Sequence, residues 1–199
     1  MPIHEFVVFK PTEALLADPT ATLAPGSKFL STAEGCSGLY FGASEEDKDV
    51  AFIVIVWETF EHHQAVIDTP GYPGIVGLSG AIADITSVHH VHFRDAPEPP
   101  LGAPTTETLI QTLKPGKTIT DLEGVLGALA PKLVVEEGCI AGAWGETKED
   151  KDKSVLFLGW TSSKRHFEVV GQDNYKPLVE NLFTVVDIKM YHASYKKFA

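Results

Sequence analysis

Apolar residues recur along the chain in short runs that are broken by polar, Pro or Gly residues. Runs of five to eight residues rich in Val, Ile and Phe are typical of strands. In the first half of the sequence these runs predict strands at residues 5–9, 38–43, 50–57 and 84–93. In the second half they predict strands at residues 108–113, 139–145, 154–160 and 183–192. The two halves therefore share one pattern of four strands.

Helical spacing and capping residues predict helices between these strands. The predicted helices cover residues 59–67, 75–82, 121–130, 162–170 and 176–182. Between residues 12 and 33, Pro19, Pro25 and Gly26 predict short helical pieces instead of one long helix. Each half thus has the order β-α-β-β-α-β, the ferredoxin-like (split βαβ) motif, with an antiparallel sheet and both helices on one face.

The two halves also repeat particular residues at a constant offset of 103. Gly35-Cys36 recurs as Gly138-Cys139, and the acidic loop at residues 46–49 recurs at residues 149–152. The same offset relates Trp57 to Trp160, His63 to His166, Tyr72 to Tyr175, and His89 to His192. Solenoid repeats are only about 20–50 residues long, so this period indicates a tandem duplication of a small domain.

The predicted domains are residues 1–94 and 106–199, each a ferredoxin-like repeat. Residues 95–105 contain four prolines, which predicts an extended, semi-rigid linker. The third strand of each half is apolar on both faces, at residues 52–56 and 155–158, so both faces should be buried. Two such sheets packed face to face form a barrel that can hold a small ligand. The sequence therefore predicts an α+β protein whose two repeats form an intrachain pseudo-dimeric α/β barrel.

Charge and composition narrow the class of partner. The net charge of −11 disfavours nucleic acid and anionic membranes as partners. The start of the sequence does not resemble a signal peptide, and the longest apolar run, residues 50–57, is too short to cross a bilayer. Two cysteines at repeated positions do not make a disulfide scaffold. We therefore expect a cytoplasmic protein that binds a small hydrophobic or aromatic molecule; further self-association is left open.

Two short segments carry a resemblance to a known group. Trp57-Glu58-Thr59 at the end of the third strand and the turn from Thr69 to Tyr72 resemble the dimeric α/β-barrel superfamily. That superfamily includes antibiotic-biosynthesis monooxygenases, the ABM domains, and stress-responsive A/B-barrel proteins. Trp160 and Tyr175 repeat the pattern more weakly. The resemblance implies the barrel fold for almost the whole chain, with one chain supplying both halves.

The departures from this resemblance bear on activity. Heme-degrading members pair the strand-end Trp with an Asn on the first strand and a His late in the following helix. Neither first strand here contains Asn, and Ile67 and Val170 stand near the position of the late His. Many monooxygenase-type members carry a His where this chain has Val66 and Val169. Heme degradation is therefore disfavoured, and catalytic residues cannot be carried over directly.

Histidines supply the main candidates for chemistry. His89 and His192 are predicted catalytic bases, because imidazole titrates near neutral pH and both strands lie beside the predicted pocket. His90 and His92 share one strand face and could ligate a metal if a third ligand came from elsewhere, which is a weak alternative. The alternative for every one of these residues is plain packing or exposure to solvent.

The remaining candidates come from the repeated aromatic and helical positions. Tyr72 and Tyr175 are predicted catalytic phenol donors. Trp57 and Trp160 are predicted substrate-binding walls, each with one N–H donor. Substrate-binding roles are also predicted for the two helix residues His63 and His166, for which a core role is the alternative.

The sequence contains no GxGxxG, P-loop, CxxC or HExxH motif, so no cofactor is predicted. The favoured function is a small-molecule enzyme of secondary metabolism, active in an apolar barrel pocket. Its reaction would be cofactor-independent oxygenation, as in a monooxygenase, or isomerisation or cyclisation of an aromatic or polyketide-like compound. The alternative is a non-catalytic stress-responsive or ligand-binding α/β-barrel protein. A third possibility is a His-ligated metal or heme protein.

Overall fold

The computed structural model describes residues 2–199 and divides the chain into two units. Unit 1 comprises the residues up to His92 together with Tyr195–Ala199, and unit 2 comprises Phe93–Ser194. The predicted linker, residues 95–105, thus falls within unit 2, and the last five residues belong to unit 1. These limits differ from the predicted boundaries at residues 94 and 106.

Both units follow the order that the sequence predicts. The elements up to residue 93 are β1 (Ile3–Pro11), α1 (Glu13–Ala17), α2 (Pro19–Leu30), β2 (Cys36–Ala43), β3 (Ala51–Trp57), α3 (Phe60–Ile67) and β4 (Ile82–Phe93). The elements after it are α4 (Glu98–Leu101), β5 (Thr105–Leu113), α5 (Ile119–Leu133), β6 (Cys139–Thr147), β7 (Lys153–Trp160), α6 (Ser163–Val170), α7 (Lys176–Val185), β8 (Val186–Ala193) and β9 (Lys196–Lys197).

Each unit contains an antiparallel sheet. The strand order is β4-β1-β3-β2-β9 in unit 1 and β8-β5-β7-β6 in unit 2. In both, the first strand lies between the third and the fourth, as the split βαβ motif requires. The predicted α+β class with two ferredoxin-like repeats is confirmed. The closure of the two sheets into a barrel stays a prediction.

Side-chain caps explain where the helices after the third strands begin. The Thr59 hydroxyl accepts a hydrogen bond from the backbone N–H of His62, and the Ser162 hydroxyl accepts one from Arg165. These caps satisfy an N–H group that lacks a partner within the helix. They fix the start of α3 and α6, and hence the positions of His63 and His166 one turn later.

Several local predictions need correction. Pro25 lies inside α2 and does not end it, because Leu23 and Leu30 on the same helix are buried and hold it against the sheet. Of the predicted helix at residues 75–82, only a 3₁₀ turn at Gly74–Val76 forms. In unit 2 the corresponding segment is the longer helix α7, which covers the first three residues of the predicted last strand.

The Pro-rich linker is not an extended spacer. Its prolines begin the short helix α4, where Pro is favoured in the first turn because it needs no N–H partner. Pro100 and Leu101 are buried in unit 2. The segment is therefore part of a folded unit.

The repeated Gly-Cys pair has a backbone origin. Gly35 and Gly138 have φ angles of 72° and 97°, in the left-handed region that residues with a Cβ rarely adopt. A Cβ at Gly35 would also lie 2.2 Å from the His62 ring. Cys36 and Cys139 are free, half-buried thiols that follow these turns.

Within residues 2–199, no helix is both long and apolar enough to span a membrane.

Candidate active site

A buried polar cluster lies in unit 1, between β1, β3, β4 and α3. Glu5 is its centre: the Trp57 indole N–H donates to Glu5 Oε2 over 3.2 Å, and His63 Nε2 lies 3.3 Å from the same oxygen. On the other side of its ring, His63 Nδ1 is 2.8 Å from His90 Nε2. Three hydrogen-bonding contacts thus connect four side chains that are each at most 8% exposed. We call Glu5, Trp57, His63 and His90 the unit 1 tetrad.

Strand register and one helix cap bring the unit 1 tetrad together. Glu5 on β1 is directly opposite His90 on β4, so both side chains lie on the same face of the sheet. Trp57 ends β3 beside Ile3, two residues before Glu5 on the same face. His63 reaches the group from α3, and its ring stacks on Trp57 at 5.0 Å between centroids.

Burial determines the protonation of these groups. It raises the pKa of Glu5 to about 7, although the hydrogen bond from Trp57 opposes the shift. Burial and the neighbouring His90 lower the pKa of His63 to about 4. Near pH 7, His63 is therefore neutral, and the Glu5 carboxyl is divided between its ionised and protonated forms. A carboxyl with a pKa near the working pH is suited to take up and release protons.

The neutral His63 ring can connect Glu5 to His90 in two ways. When Glu5 is ionised, His63 Nε2–H donates to Glu5, and Nδ1 accepts the N–H of His90. When Glu5 is protonated, its O–H donates to His63 Nε2, and His63 Nδ1–H donates to His90. Switching between the two arrangements moves a proton between the His90 and Glu5 ends. The tetrad therefore has the connections of a proton relay.

The unit 1 tetrad lies on an apolar cavity of about 330 Å³ within unit 1. This volume is within the usual range for small-molecule sites, about 300–1,000 Å³. Glu5, Trp57, His63 and His90 all line it, and Tyr72 lines it from the loop after α3. The Tyr72 ring is 6.5 Å from the His63 ring and is 37% exposed. The rest of the lining is largely aliphatic, so a ligand there would contact hydrocarbon together with the polar groups of the unit 1 tetrad and Tyr72.

Unit 2 contains the same cluster. The Trp160 indole N–H donates to Glu107 over 3.0 Å, and His166 Nε2 lies 3.3 Å from that carboxylate. His166 Nδ1 is 2.9 Å from His192 Nε2. Burial raises the pKa of Glu107 to about 7, as it does for Glu5. We call Glu107, Trp160, His166 and His192 the unit 2 tetrad.

The two tetrads differ in their surroundings. The unit 2 tetrad is at most 4% exposed, and none of its members lines the large cavity of unit 2. Tyr175, the counterpart of Tyr72, is 1% exposed and packs in the apolar cluster of Trp160. Its hydroxyl donates to the Lys132 carbonyl or to the Glu136 carboxylate, both at 2.9 Å. The unit 2 tetrad is therefore packed into a core, whereas the unit 1 tetrad borders a cavity.

The expected equivalence of His89 and His192 is wrong. The counterpart of His192 is His90, because His90 lies opposite Glu5 on β1 and His192 lies opposite Glu107 on β5. His89 lies opposite Phe6 and on the other face of β4, away from the unit 1 tetrad. The catalytic role predicted for His89 stays a prediction.

The two predicted metal ligands do not form a metal site here. His90 is engaged with His63, while His92 is exposed. Among residues 2–199, no group of three His, Cys, Asp or Glu side chains is arranged to hold a metal ion. His90 and His92 therefore belong to no three-ligand metal site within residues 2–199, and the role of a heme protein stays a prediction.

Glu5 and Glu107 are the functional candidates that the sequence reasoning missed. The sequence does contain a signal. Glu5, Val7 and Phe9 occupy every second position of the predicted strand, so they share one face of it. A carboxylate on a face that is otherwise apolar must be buried, and buried carboxylates need a partner.

Comparisons with known proteins address the fold. No family model matches the chain, and no curated protein matches it significantly. Among solved structures, this chain is similar to a protein from Lactobacillus acidophilus that is provisionally named a monooxygenase. The similarity covers 100% of this chain and 94% of that protein, with 12% identity and a TM-score of 0.65. The similarity to a Fusobacterium nucleatum protein with the same provisional name covers 98% of this chain and 93% of that protein, with 13% identity and a TM-score of 0.67. The similarity to an anthrone oxidase-like protein covers 100% of this chain and 94% of that protein, with 13% identity and a TM-score of 0.64.

These similarities extend over almost the full length of each chain at low sequence identity. The fold that the predicted resemblance implies is therefore consistent with the fold that this chain shares with these three proteins.

Proposed function

We propose that unit 1 is a cofactor-independent oxygenase for a small, apolar aromatic compound. The observation that carries this proposal is the position of Glu5. Its carboxyl is buried against an apolar cavity, has a pKa of about 7, and is connected through neutral His63 to His90. A relay of this kind is suited to remove a proton from an acidic phenol or C–H group in a pocket with little water.

The proton follows the hydrogen bonds of the unit 1 tetrad. The substrate gives its proton to His90, whose Nε2 proton passes to His63 Nδ1. His63 then passes its Nε2 proton to Glu5, which becomes neutral. The Trp57 indole N–H holds the Glu5 carboxylate in position before this transfer, and its ring forms one wall of the cavity. Tyr72 donates a hydrogen bond to the oxygen anion of the substrate.

Oxygen is the oxidant. The substrate carbanion or its enolate form transfers an electron to O₂, and the two radicals combine to form a C–O bond. The peroxide takes back the proton from the relay and then loses water, which leaves a carbonyl group. A CH₂ group and one O₂ thus yield one C=O and one H₂O, and no external reductant is consumed.

The names of the structural neighbours support this choice of reaction class. Two of them carry monooxygenase names, and a third is called anthrone oxidase-like. An anthrone has a CH₂ group between two aromatic rings and is therefore acidic enough for the reaction above. These names make a hydroxylated anthrone a reasonable first substrate to test.

The test measures oxygen uptake with dithranol, a dihydroxyanthrone, in the absence of flavin, nicotinamide and added metal. We expect one O₂ consumed for each anthraquinone formed. Glu5→Gln should lower kcat/KM by about 10²–10⁴-fold, the usual contribution of a general base.

Glu107→Gln is the matched control, because Glu107 has the same partners and the same raised pKa but does not line a cavity in the way Glu5 does. Its rate should stay within about twofold of the wild type. Equal losses in both variants would refute the assignment to unit 1. Binding of the anthrone without oxygen uptake would indicate a ligand-binding protein, and anaerobic conversion would indicate an isomerase or cyclase.

A further inference from the structure

Unit 2 contains a second, larger cavity that the proposed function does not use. It has a volume of about 500 Å³ and lies between α5 and the strands β6 and β7. Its apolar lining comes mainly from Leu126, Leu129 and Leu133 on the helix and from Trp144, Leu156 and Leu158 on the sheet. None of the unit 2 tetrad belongs to the lining. The residues of the proposed proton relay, which belong to the unit 1 tetrad, do not line it either.

In unit 1 the corresponding space is filled by the chain itself. Phe198 follows β9 and packs on the unit 1 core, with its ring 6.4 Å from Phe41. Its backbone is held on both sides, since the Phe198 N–H donates to the Leu39 carbonyl over 2.7 Å and the Ser27 hydroxyl donates to the Phe198 carbonyl. One aromatic ring thus occupies the groove between α2 and β2.

Unit 2 has smaller residues at the positions that close this groove in unit 1. The repeat places Gly142 where unit 1 has Leu39, and Ala130 where unit 1 has Ser27. A backbone contact aligns the two segments, because the Arg94 N–H donates to the carbonyl of Trp144, and the counterpart of Trp144 in unit 1, Phe41, pairs with Lys196. Arg94 thus corresponds to Lys196. Two residues further along each segment, unit 1 has Phe198 and unit 2 has Ala96, which is exposed. The cavity of unit 2 is therefore a groove without the aromatic side chain that fills its counterpart.

Charged groups border the opening of this cavity. The Arg94 guanidinium lies 4.3 Å above the Trp144 ring and pairs with Glu123 and Glu146. Asp95 also lines the cavity. These four groups carry one positive and three negative charges, so their sum attracts a cation and repels an anion.

We propose that the unit 2 cavity is a second ligand site, which takes a small aromatic molecule with a positively charged amine. The ring would occupy the space that Phe198 fills in unit 1, and the ammonium group would face Asp95 and Glu123 at the opening. Cys139 also lines the cavity, and burial together with Glu107 and Glu136 raises its pKa to about 11. Its thiol stays protonated near pH 7, so binding is non-covalent.

The three tryptophans of the chain allow the site to be identified in solution. Trp144 lines the unit 2 cavity, Trp57 lines the unit 1 cavity, and Trp160 is fully buried. We would titrate 2-phenylethylamine into the ¹⁵N-labelled protein and follow the three indole N–H signals. We expect the Trp144 signal to move and the Trp160 signal to stay. Phenylacetate, of similar size and opposite charge, should bind at least about fivefold more weakly.

Two glycines of α5 provide a matched pair of variants. Gly127 lines the cavity and Gly124 does not, and a Cβ at either position would meet no atom within 4 Å. Because Leu favours helix more than Gly does, Gly127→Leu and Gly124→Leu should both fold. Gly127→Leu should weaken amine binding at least about tenfold by filling the cavity, while Gly124→Leu should bind as the wild type does.

Several results would overturn the proposal. They are equal binding by both glycine variants, a shift confined to Trp57, tighter binding of phenylacetate, or no binding of the amine at millimolar concentration. None of these measurements depends on oxygen uptake. The second site can therefore fail while the proposed oxygenase stands, and the reverse also holds.

Discussion

The Nδ1 atom of His63 lies 2.8 Å from the Nε2 atom of His90, so two buried imidazole rings share one hydrogen bond. Because His63 is neutral near pH 7, only one proton occupies this contact at a time. The direction of the bond must then follow the protonation of Glu5 on the far side of the His63 ring. This coupling makes the relay testable residue by residue.

The first prediction concerns His90. His90→Gln keeps a hydrogen-bonding group beside His63 but cannot pass on a proton as imidazole does. With the dithranol assay we expect kcat to fall about 10–100-fold and KM to change less than about threefold. The ¹⁵N signal of His63 Nδ1 should keep its dependence on pH near 7, because Glu5 still titrates beside His63 in this variant. His192→Gln, at the matching position of the unit 2 tetrad, should leave kcat unchanged.

The second prediction is the pH dependence of the reaction. Glu5 must be ionised to accept the proton, and burial raises its pKa to about 7. The rate constant kcat/KM should therefore increase from pH 6 to pH 8 with a midpoint near 7. An increase with a midpoint near 4.5, the ordinary value for Glu, would contradict the raised pKa of Glu5.

The third prediction concerns stability. The folded-state pKa of Glu107, about 7, is above its ordinary value of 4.5, so the folded protein binds more protons than the unfolded chain between these values. Stability from this group is complete below about pH 4.5 and is lost as the pH rises through 7. Glu107→Gln removes the loss and should raise the free energy of unfolding at pH 8 by on the order of 1–3 kcal/mol.

The measurement for this prediction is urea unfolding of Glu107→Gln and wild type at pH 5 and pH 8. At pH 5 the two free energies should be close, because Glu107 is then mostly protonated in the folded protein. The lowered pKa of His63 decreases the stability of the folded protein as the pH falls below 6.5. This effect is present in both proteins, so it cancels in the difference between their free energies of unfolding. A variant that is less stable than wild type at pH 8 would contradict the prediction.

The fourth prediction compares the two repeated tyrosines. Tyr175→Phe removes hydrogen bonds to Lys132 and Glu136 and should cost about 1 kcal/mol of stability, with no effect on oxygen uptake. Tyr72→Phe should leave the thermal midpoint unchanged, because the Tyr72 side chain is partly exposed, and should lower kcat. Thermal unfolding and the dithranol assay on the same two variants separate these effects. A loss of stability in Tyr72→Phe alone would reverse the assignment.

Much of the fold was accessible from local patterns. Apolar runs and caps such as Thr59 identified strands and helices, and the repeat identified two similar units. The residue-by-residue pairing of neighbouring strands could not be derived in the same way. At Thr86 the register between β1 and β4 shifts, since Val8 is opposite Ser87 and Phe9 is opposite Ile85.

That shift explains the error over His89. A bulge adds one residue to a strand and moves every later side chain to the other face. The paired strands of unit 2, β5 and β8, keep a continuous register. Along the last strands the offset between the two units is therefore 103 before Thr86 and 102 after it, which makes His90 the counterpart of His192. A sequence comparison at one fixed offset could not detect this.

The candidate site was predicted only in part for a similar reason. The constant offset of 103 predicts roles for Trp57 and His63, whereas the apolar pattern around Glu5 predicts only a strand. Its importance depends on burial and on contacts with residues from three other elements. Burial and such contacts are properties of the folded chain, and a sequence pattern shows them only indirectly.

Two similar units in one chain do not have to be identical. In a homodimer, one gene change alters both subunits at once, so an opened groove in one would open the other. Here Gly142 and Leu39 are encoded separately, so the groove of one unit can open while that of the other stays filled.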